Sequence, residues 1–333
     1  MPRDFATVVG NEAAVSALRS AVSGGRSAHS YLIAGSAGSG RKTLAVAFAA
    51  ALFCRGGGAL PCGECPQCRK VFAGQHPDLS WVRGTGETGT IKVDAIREAR
   101  LAAYTLPNEA DWKLCVVDGA EQMTEAAQNA LLKILEEPPA SAKFLLLCEN
   151  PTKLLPTVRS RVISLRTTAP AHGDAVAFLT ERCPDKSPVD IDAALRLSGG
   201  YLGGALALLS DDGALGDLDL AFEALDALSG TSLYDACKLL AAKAANRKCL
   251  LALLDAMGLV LRDVMLLRAG AKAASLTLSA RARDISSLAM KLTNQSASNI
   301  MDKMASARAA VMQNASVPLT ALNLFLQCWE EIH

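Results

Sequence analysis

Tyr31-Leu32-Ile33-Ala34, followed by Gly35-Ser36-Ala37-Gly38-Ser39-Gly40-Arg41-Lys42-Thr43, is the stretch on which the fold of this chain turns. Four apolar residues read as a short buried strand, the glycine-rich loop follows, and Leu44, Phe48 and Leu52 recur at helical spacing over Thr43 to Phe53. Strand, glycine-rich loop and helix in that order form the setting of a P-loop, whose backbone N–H groups cradle phosphates at a helix N-terminus. The working pattern is Gly, four residues, then Gly-Lys-Ser/Thr, with the Lys on the terminal phosphates and the hydroxyl on Mg²⁺. Counted from Gly35, the Lys position holds Arg41 and the hydroxyl position holds Lys42. An ammonium there repels the ion that a hydroxyl would bind. A second register makes Lys42-Thr43 the working pair but places Arg41 where a glycine must allow close backbone approach. The loop reads as inherited from a nucleotide-binding ancestor, without a working ATPase site, and leaves binding of ATP or ADP in doubt.

Outward from this loop, Lys113 to Asp118, Phe144 to Cys148 and Val162 to Leu165 read as further buried strands. Helices are expected over 11–23 with Asn11 as its cap, over 91–103, and from Glu125 to Glu137, where Pro138-Pro139 stops the last. Strands alternating with helices imply an α/β fold, a parallel sheet with helices on both faces, ending near residue 166. From Pro170 the chain reads as helical. Gly199-Gly200 and Ser210-Asp211-Asp212-Gly213 mark turns, the second being the boundary before a last helical domain. Leu225, Leu228, Leu239, Leu240, Leu251, Leu254, Leu261 and Leu266 supply its apolar faces.

A length of 333 residues suits two or three domains. The 34 basic and 33 acidic side chains balance to +1, so no bulk electrostatic footprint for DNA exists and any such contact must be local. The start, Met-Pro-Arg-Asp-Phe, lacks a basic and apolar leader, and runs such as Leu145-Leu146-Leu147-Cys148 are too short to cross a bilayer. The expected compartment is the cytoplasm, where ten cysteines imply reduced thiols or metal binding.

Cys54, Cys62, Cys65 and Cys68 are spaced C-x7-C-x2-C-x2-C in a Gly/Pro-rich insertion. Four thiolates suit a closed tetrahedral Zn²⁺, structural because no position is left for water. Unrelated thiols or a redox Cys-x2-Cys are the alternatives, and His76 is a weaker ligand candidate. Cys115, Cys148, Cys183, Cys237, Cys249 and Cys328 fall at apolar positions and read as core. Asp118 ends a strand where an ATPase keeps its Mg²⁺-binding carboxylate, but a helix N-cap would use it equally well, and the water-activating Glu that should follow is Gly119. Glu136 and Glu137 sit at a helix C-terminus, where the macrodipole disfavours carboxylates; an interface or a solvated helix end would each account for them. Arg161, after Ser160 in a Pro-bounded loop, is either a plain surface charge or an arginine finger aimed at another subunit's nucleotide.

Together these residues resemble the AAA+ subunits of the bacterial DNA polymerase III clamp loader, and within them the delta-prime type. The resemblance runs from Phe5 to about Val162 through Val9-Gly10-Asn11-Glu12, Ala28-His29-Ser30-Tyr31-Leu32, the four cysteines, His76-Pro77-Asp78, Asn129 to Pro139 and Leu154 to Arg161; beyond 166 it is weak, strongest at Asn314 to Leu322. It implies an AAA+ α/β domain over 1–166 with a zinc module at 54–68, a three-helix lid over 167–209, and a helical collar over 210–333 that joins subunits into a ring. Two subunit kinds share that plan, ATP-hydrolysing motors (tau/gamma) and a delta-prime stator. Arg41, Lys42 and Gly119 depart from the motor pattern, as does Gly203 where the lid's nucleotide-sensing Arg would be. Ser160-Arg161, which serves a neighbour's nucleotide, is kept. The implied role is a stator without intrinsic ATPase that helps load the sliding clamp onto primed DNA, with motor and delta subunits as partners and Arg161 acting in trans. A motor subunit using Lys42-Thr43 is the alternative within the complex. A zinc-dependent DNA-binding protein is the alternative outside it, disfavoured by the near-zero charge and the lack of stacking aromatics in the cysteine loop.

Overall fold

Short continuous apolar runs build the central strands of the first half of the chain. The computed structural model describes residues 5, 8–24, 27–58, 60–86, 89–210, 212–230, 234, 246–313 and 315–333. Strands β1 (Ser30–Ala34), β2 (Leu79–Arg83), β3 (Lys113–Asp118), β4 (Ala142–Cys148) and β5 (Ile163–Arg166) pair in the order β2-β3-β4-β1-β5, every ladder parallel. β1 and β4 are buried along their whole length, as central strands covered on both faces must be. Tyr31, Ile33, Leu114, Val116, Leu145 and Leu147 face α1 (Glu12–Ser23), α2 (Arg41–Phe53) and α3 (Pro66–Phe72). Leu32, Cys115, Val117, Phe144, Leu146 and Cys148 face α4 (Val93–Ala103) and α5 (Glu125–Glu136). This is the α/β layer, a parallel sheet covered by helices on both faces, expected from the sequence. The register sets Ala34 opposite Cys148 and Asp118 opposite Leu147, so the carboxyl ends of β1, β3 and β4 meet at one edge. Open parallel sheets place their ligands at that edge.

Several local expectations shift. β2 was not foreseen, because on this edge strand only Val82 is fully buried and Ser80, Trp81 and Arg83 break the apolar run. The last strand starts at Ile163 rather than Val162, whose side chain packs on the core instead. α2 begins at Arg41, two residues early, which puts Arg41 and Lys42 on its first turn. Ile91 lies outside α4 and bridges Met123. Asn11 precedes α1 in the left-handed region, φ 59°, and its side chain makes no capping bond.

The chain divides into two compact units, Met1–Phe178 with Ser198–Gly204, and Leu179–Leu197 with Ala205–His333. In the first, α6 (Pro156–Arg159) is a single turn between β4 and β5. Further along the chain come α7 (His172–Arg182), α8 (Pro188–Leu197), α9 (Leu202–Ser210), α10 (Asp212–Leu228), α11 (Arg247–Arg268), α12 (Ala282–Lys291), α13 (Asn294–Met312) and α14 (Val317–Ile332). The second unit buries Leu225, Leu228, Leu254, Leu261 and Phe325, with Leu251 and Leu266 packed half-buried against them. Leu239, Leu240, Cys237, Asp211 and Asn314 lie outside the described residues. Among the described residues no helix is long and apolar enough to cross a membrane.

Candidate functional site

The glycine-rich loop leaves β1 at the ligand edge of the sheet and enters α2. Gly38 and Gly40 take φ of 74° and 90°, a conformation that side chains rarely adopt. A Cβ on Gly35 would stand 1.6 Å from Thr167 Oγ1, so only glycine fits there. The Thr167 hydroxyl donates to Ser39 Oγ at 2.8 Å, and Asn11 ties the loop down by donating from Nδ2 to the Ser39 carbonyl at 3.1 Å. Asn11 Oδ1 in turn accepts from Thr168 N at 2.8 Å, which is where its polar side chain goes instead of capping α1.

At the first turn of α2 the loop's charges are met by the chain itself. Lys42 Nζ lies 2.9 Å from Asp118 Oδ2, and Arg83 Nε reaches the same oxygen at 3.4 Å. Arg41 Nη2 pairs with Glu149 Oε1 at 2.6 Å. Thr43 sits half-buried behind them on α2. Thus Asp118 is not an N-cap, a place taken by Gly119, and its carboxylate faces the ammonium that stands at the hydroxyl position. Gly119 has φ 82° and carries no carboxylate, and Glu121 turns to Cys148, whose thiol is pushed up to about 12 by burial and by that carboxylate. Gly203, at the start of α9, donates its N–H to Gly38 O at 3.0 Å. A Cβ on Gly203 would stand 2.7 Å from Gly38 O, and one on Gly38 would stand 2.3 Å from Gly204 N. Backbone thus meets backbone over the loop, and any side chain at either glycine would force the two segments apart.

The four cysteines of the insertion converge. Sγ of Cys54, Cys62, Cys65 and Cys68 all lie within 4.8 Å of one another. Cys65 caps α3, with Pro66 at the first helical position, and its sulfur accepts from Cys68 N at 3.5 Å. Gly56 N and Cys62 N both donate to Cys54 Sγ at 3.4 Å, and Cys65 N donates to Cys62 Sγ at 3.4 Å. A Cβ on Gly56 would stand 2.5 Å from Cys62 Sγ, so the chain can pass that sulfur only as glycine. For Cys65, burial raises the thiol but backbone N–H donors outweigh it and bring it to about 6; Cys62 is lowered by N–H donors, whereas burial raises Cys54 and Cys68. His76 does not join them. It stacks on Phe53 with ring centroids 4.3 Å apart, and its Nε2 meets Gln67 Oε1 at 2.7 Å. Of the other cysteines, Cys115, Cys148 and Cys328 are buried, while Cys183 and Cys249 are half-buried.

Arg161 follows α6, outside the phosphate loop's immediate contacts. Its Nη1 donates to Thr157 O at 3.0 Å, and its Nη2 pairs with Glu136 Oε1 at 2.7 Å. Sequence reasoning missed Asn11's tether, Thr167, Arg83, Glu149 and the Glu136–Arg161 pair. One signal was present for Glu149: a carboxylate directly after the fully apolar run Phe144–Cys148, at the end of the strand beside β1.

With this geometry in place, residues 10–170 match the family model described as DNA polymerase III, delta subunit. DNA polymerase III subunit delta' of Pseudomonas aeruginosa is 36% identical over 180 residues, 53% of this chain and 55% of the relative. DNA polymerase III subunit tau of Salmonella typhimurium is 33% identical over 235 residues, 69% of this chain and 36% of that protein. A DNA polymerase III gamma subunit-related protein from Thermotoga maritima aligns at TM-score 0.46 and 19% identity, over 95% of this chain and 99% of that one. The chain spans about half the length, or less, of the two curated relatives. The resemblance read from the residues is borne out over this segment, as a likeness to DNA polymerase III subunits of the delta' and tau kinds.

Proposed function

We propose that this chain is the delta-prime, stator-type subunit of a DNA polymerase III clamp loader: it hydrolyses no ATP itself and helps a hetero-oligomeric ring load the sliding clamp onto primed DNA. Relatives of the tau and delta-prime kinds match at similar identity, so the choice between them rests on the phosphate loop. One observation carries it. Lys42 stands 2.9 Å from Asp118, so the carboxylate that would hold Mg²⁺ is paired with an internal cation. The Arg41–Glu149 pair, Gly119 and the backbone contact at Gly203 point the same way. The motor reading, with Lys42-Thr43 as the working pair, needs Lys42 released from Asp118.

In this reading residues 1–166 are the AAA+ domain, 167–209 the lid and 210–333 the collar through which tau/gamma-type and delta subunits are joined. Leu319, Leu322 and Leu326 on α14 are exposed at three- and four-residue spacing, which supports an interface in the last segment. The Cys54, Cys62, Cys65 and Cys68 sulfurs, close together and hydrogen-bonded from backbone N–H groups, suit a structural Zn²⁺, which would fix the insertion on α2 and α3. Arg161 supplies a guanidinium in trans, able to bridge phosphate oxygens as charge develops on the transferring phosphoryl group.

The test is ATP turnover, first of the isolated chain and then of the complex reconstituted with motor and delta subunits, clamp and primed DNA. The isolated chain should stay at background. In the complex, Arg161→Ala should lower hydrolysis at the adjoining motor subunit, where trans-acting arginines contribute about 10³–10⁵ in rate, and the whole ring by less. Turnover by the isolated chain at ordinary ATPase rates would establish the motor reading instead.

A further inference from the structure

The arginine loop is held on two levels by α5. The buried Gln128 accepts from Leu155 N at 2.7 Å and donates to the Lys153 carbonyl at 3.3 Å, which stitches the backbone ahead of α6 to the helix. Val158, fully buried, anchors α6 in the core. At the far end of the same helix, Glu136 reaches the tip of Arg161 at 2.7 Å, while Thr157 O and Ser160 Oγ hold Nη1 at 3.0 and 3.4 Å. Leu131, Ile134 and Leu135 are buried, so the end of α5 is fixed and Glu136 with it. The guanidinium is therefore tied at Nη1 and through one N–H of Nη2, and the Nε N–H and the second N–H of Nη2 remain for an incoming acceptor.

We propose that Glu136 is a positioning residue for Arg161, fixing the guanidinium between the loop and the end of α5 before a neighbouring subunit's nucleotide arrives. This explains why a carboxylate persists at the C-terminus of α5, where the macrodipole disfavours it. An exposed arginine otherwise samples many rotamers, and ordering it on binding carries an entropic cost. The pairing with Glu136 offsets part of that cost in advance. The inference rests on the trans-acting reading of Arg161, and the experiment separates the two.

In the reconstituted complex, with the other motor subunits made hydrolysis-defective, ATP turnover at the adjoining site is measured for Glu136→Ala, Glu136→Gln, Arg161→Ala and the double variant Glu136→Ala/Arg161→Ala. Glu136→Ala should lower maximal turnover about two- to fivefold, the range of a partly exposed ion pair, with assembly and the KM for ATP unchanged. Glu136→Gln keeps an acceptor oxygen and should recover most of the loss. In the Arg161→Ala background, Glu136→Ala should add nothing. A gain or no change from Glu136→Ala, while Arg161→Ala does lose turnover, would overturn positioning. Equal losses in both backgrounds would do the same, by making Glu136 merely structural. Full turnover in Arg161→Ala would instead remove the trans-acting reading itself, and this inference with it.

Discussion

The phosphate loop at 35–43 and the cysteine loop at 54–68 flank the same helix, α2, and treat their polar groups in opposite ways. In the phosphate loop every strong charge has an internal partner: Lys42 with Asp118, Arg41 with Glu149. The loop keeps the glycine geometry of an anion cradle but spends its cations on the chain's own carboxylates. In the cysteine loop four sulfurs converge within 4.8 Å, and backbone N–H groups point at them. Thiolates brought together in that way repel one another until a cation joins them. One loop pairs its cations with the chain's own carboxylates; the other gathers four sulfurs, a donor set that suits a bound cation.

The sharpest way to break this contrast is at the sulfurs. Cys65→Ser should reduce bound zinc from one equivalent to well below one and loosen the insertion while sparing the sheet. Structural zinc contributes on the order of 10 kcal/mol in small sites, so this should be the largest effect. Metal analysis with thermal unfolding reads it. A wild-type protein with far less than one equivalent and ordinary stability would remove the zinc reading.

Next comes the support behind that loop. Asp78 accepts from Asn108 N and Nδ2 at 2.6 and 3.0 Å, from Glu109 N at 2.8 Å and from Ala110 N at 2.9 Å. Burial works to raise its pKa, but those N–H donors outweigh it and hold it below the usual carboxylate range. A depressed folded pKa means the stabilisation is fully present above the unfolded value near 4, and is lost as pH falls through the folded one. Asp78→Asn should cost about 1.5–3 kcal/mol at neutral pH and flatten the acid limb of stability, measured by urea unfolding across that range. An unchanged acid limb would show that other carboxylates set it.

Smaller still is the effect expected from rebuilding the phosphate loop. Arg41→Lys with Lys42→Thr restores the working pattern and frees Asp118. Stability should change by about 1 kcal/mol or less, since both pairs reach solvent. ATP turnover should remain at background, because Gly119 offers no carboxylate and Gly203 still seals Gly38 by backbone contact. Turnover from the double variant alone would show that the two cations were the whole obstacle. Glu149→Ala, the mildest change, should leave folding and assembly unchanged in a thermal melt and in gel filtration.

Much of this was legible in the chain. The apolar run at Tyr31, the glycines and the run before Cys148 define buried strands around a loop, because a central parallel strand must be apolar along its length. The cysteine spacing named its four residues, because short C-x2-C steps bring sulfurs together locally. β2 escaped, since an edge strand that buries one side chain leaves little pattern. Asn11 was read as a helix cap from its type, yet a short amide can serve a distant carbonyl as readily as its own helix.

The sequence by itself thus determined the α/β layer, the cysteine set and the ammonium of Lys42 at the hydroxyl position, all written in spacings of a few residues or in the side chain itself. Only the tertiary structure decided where the loop's charges go. Arg41 finds Glu149 across 108 positions, and Glu136 finds Arg161 across a proline pair, strand β4 and the turn of α6. Ion pairs need proximity in space and set no period along the chain, so only the assembled sheet, which brings the ends of β1, β3 and β4 to one edge, could name the partners.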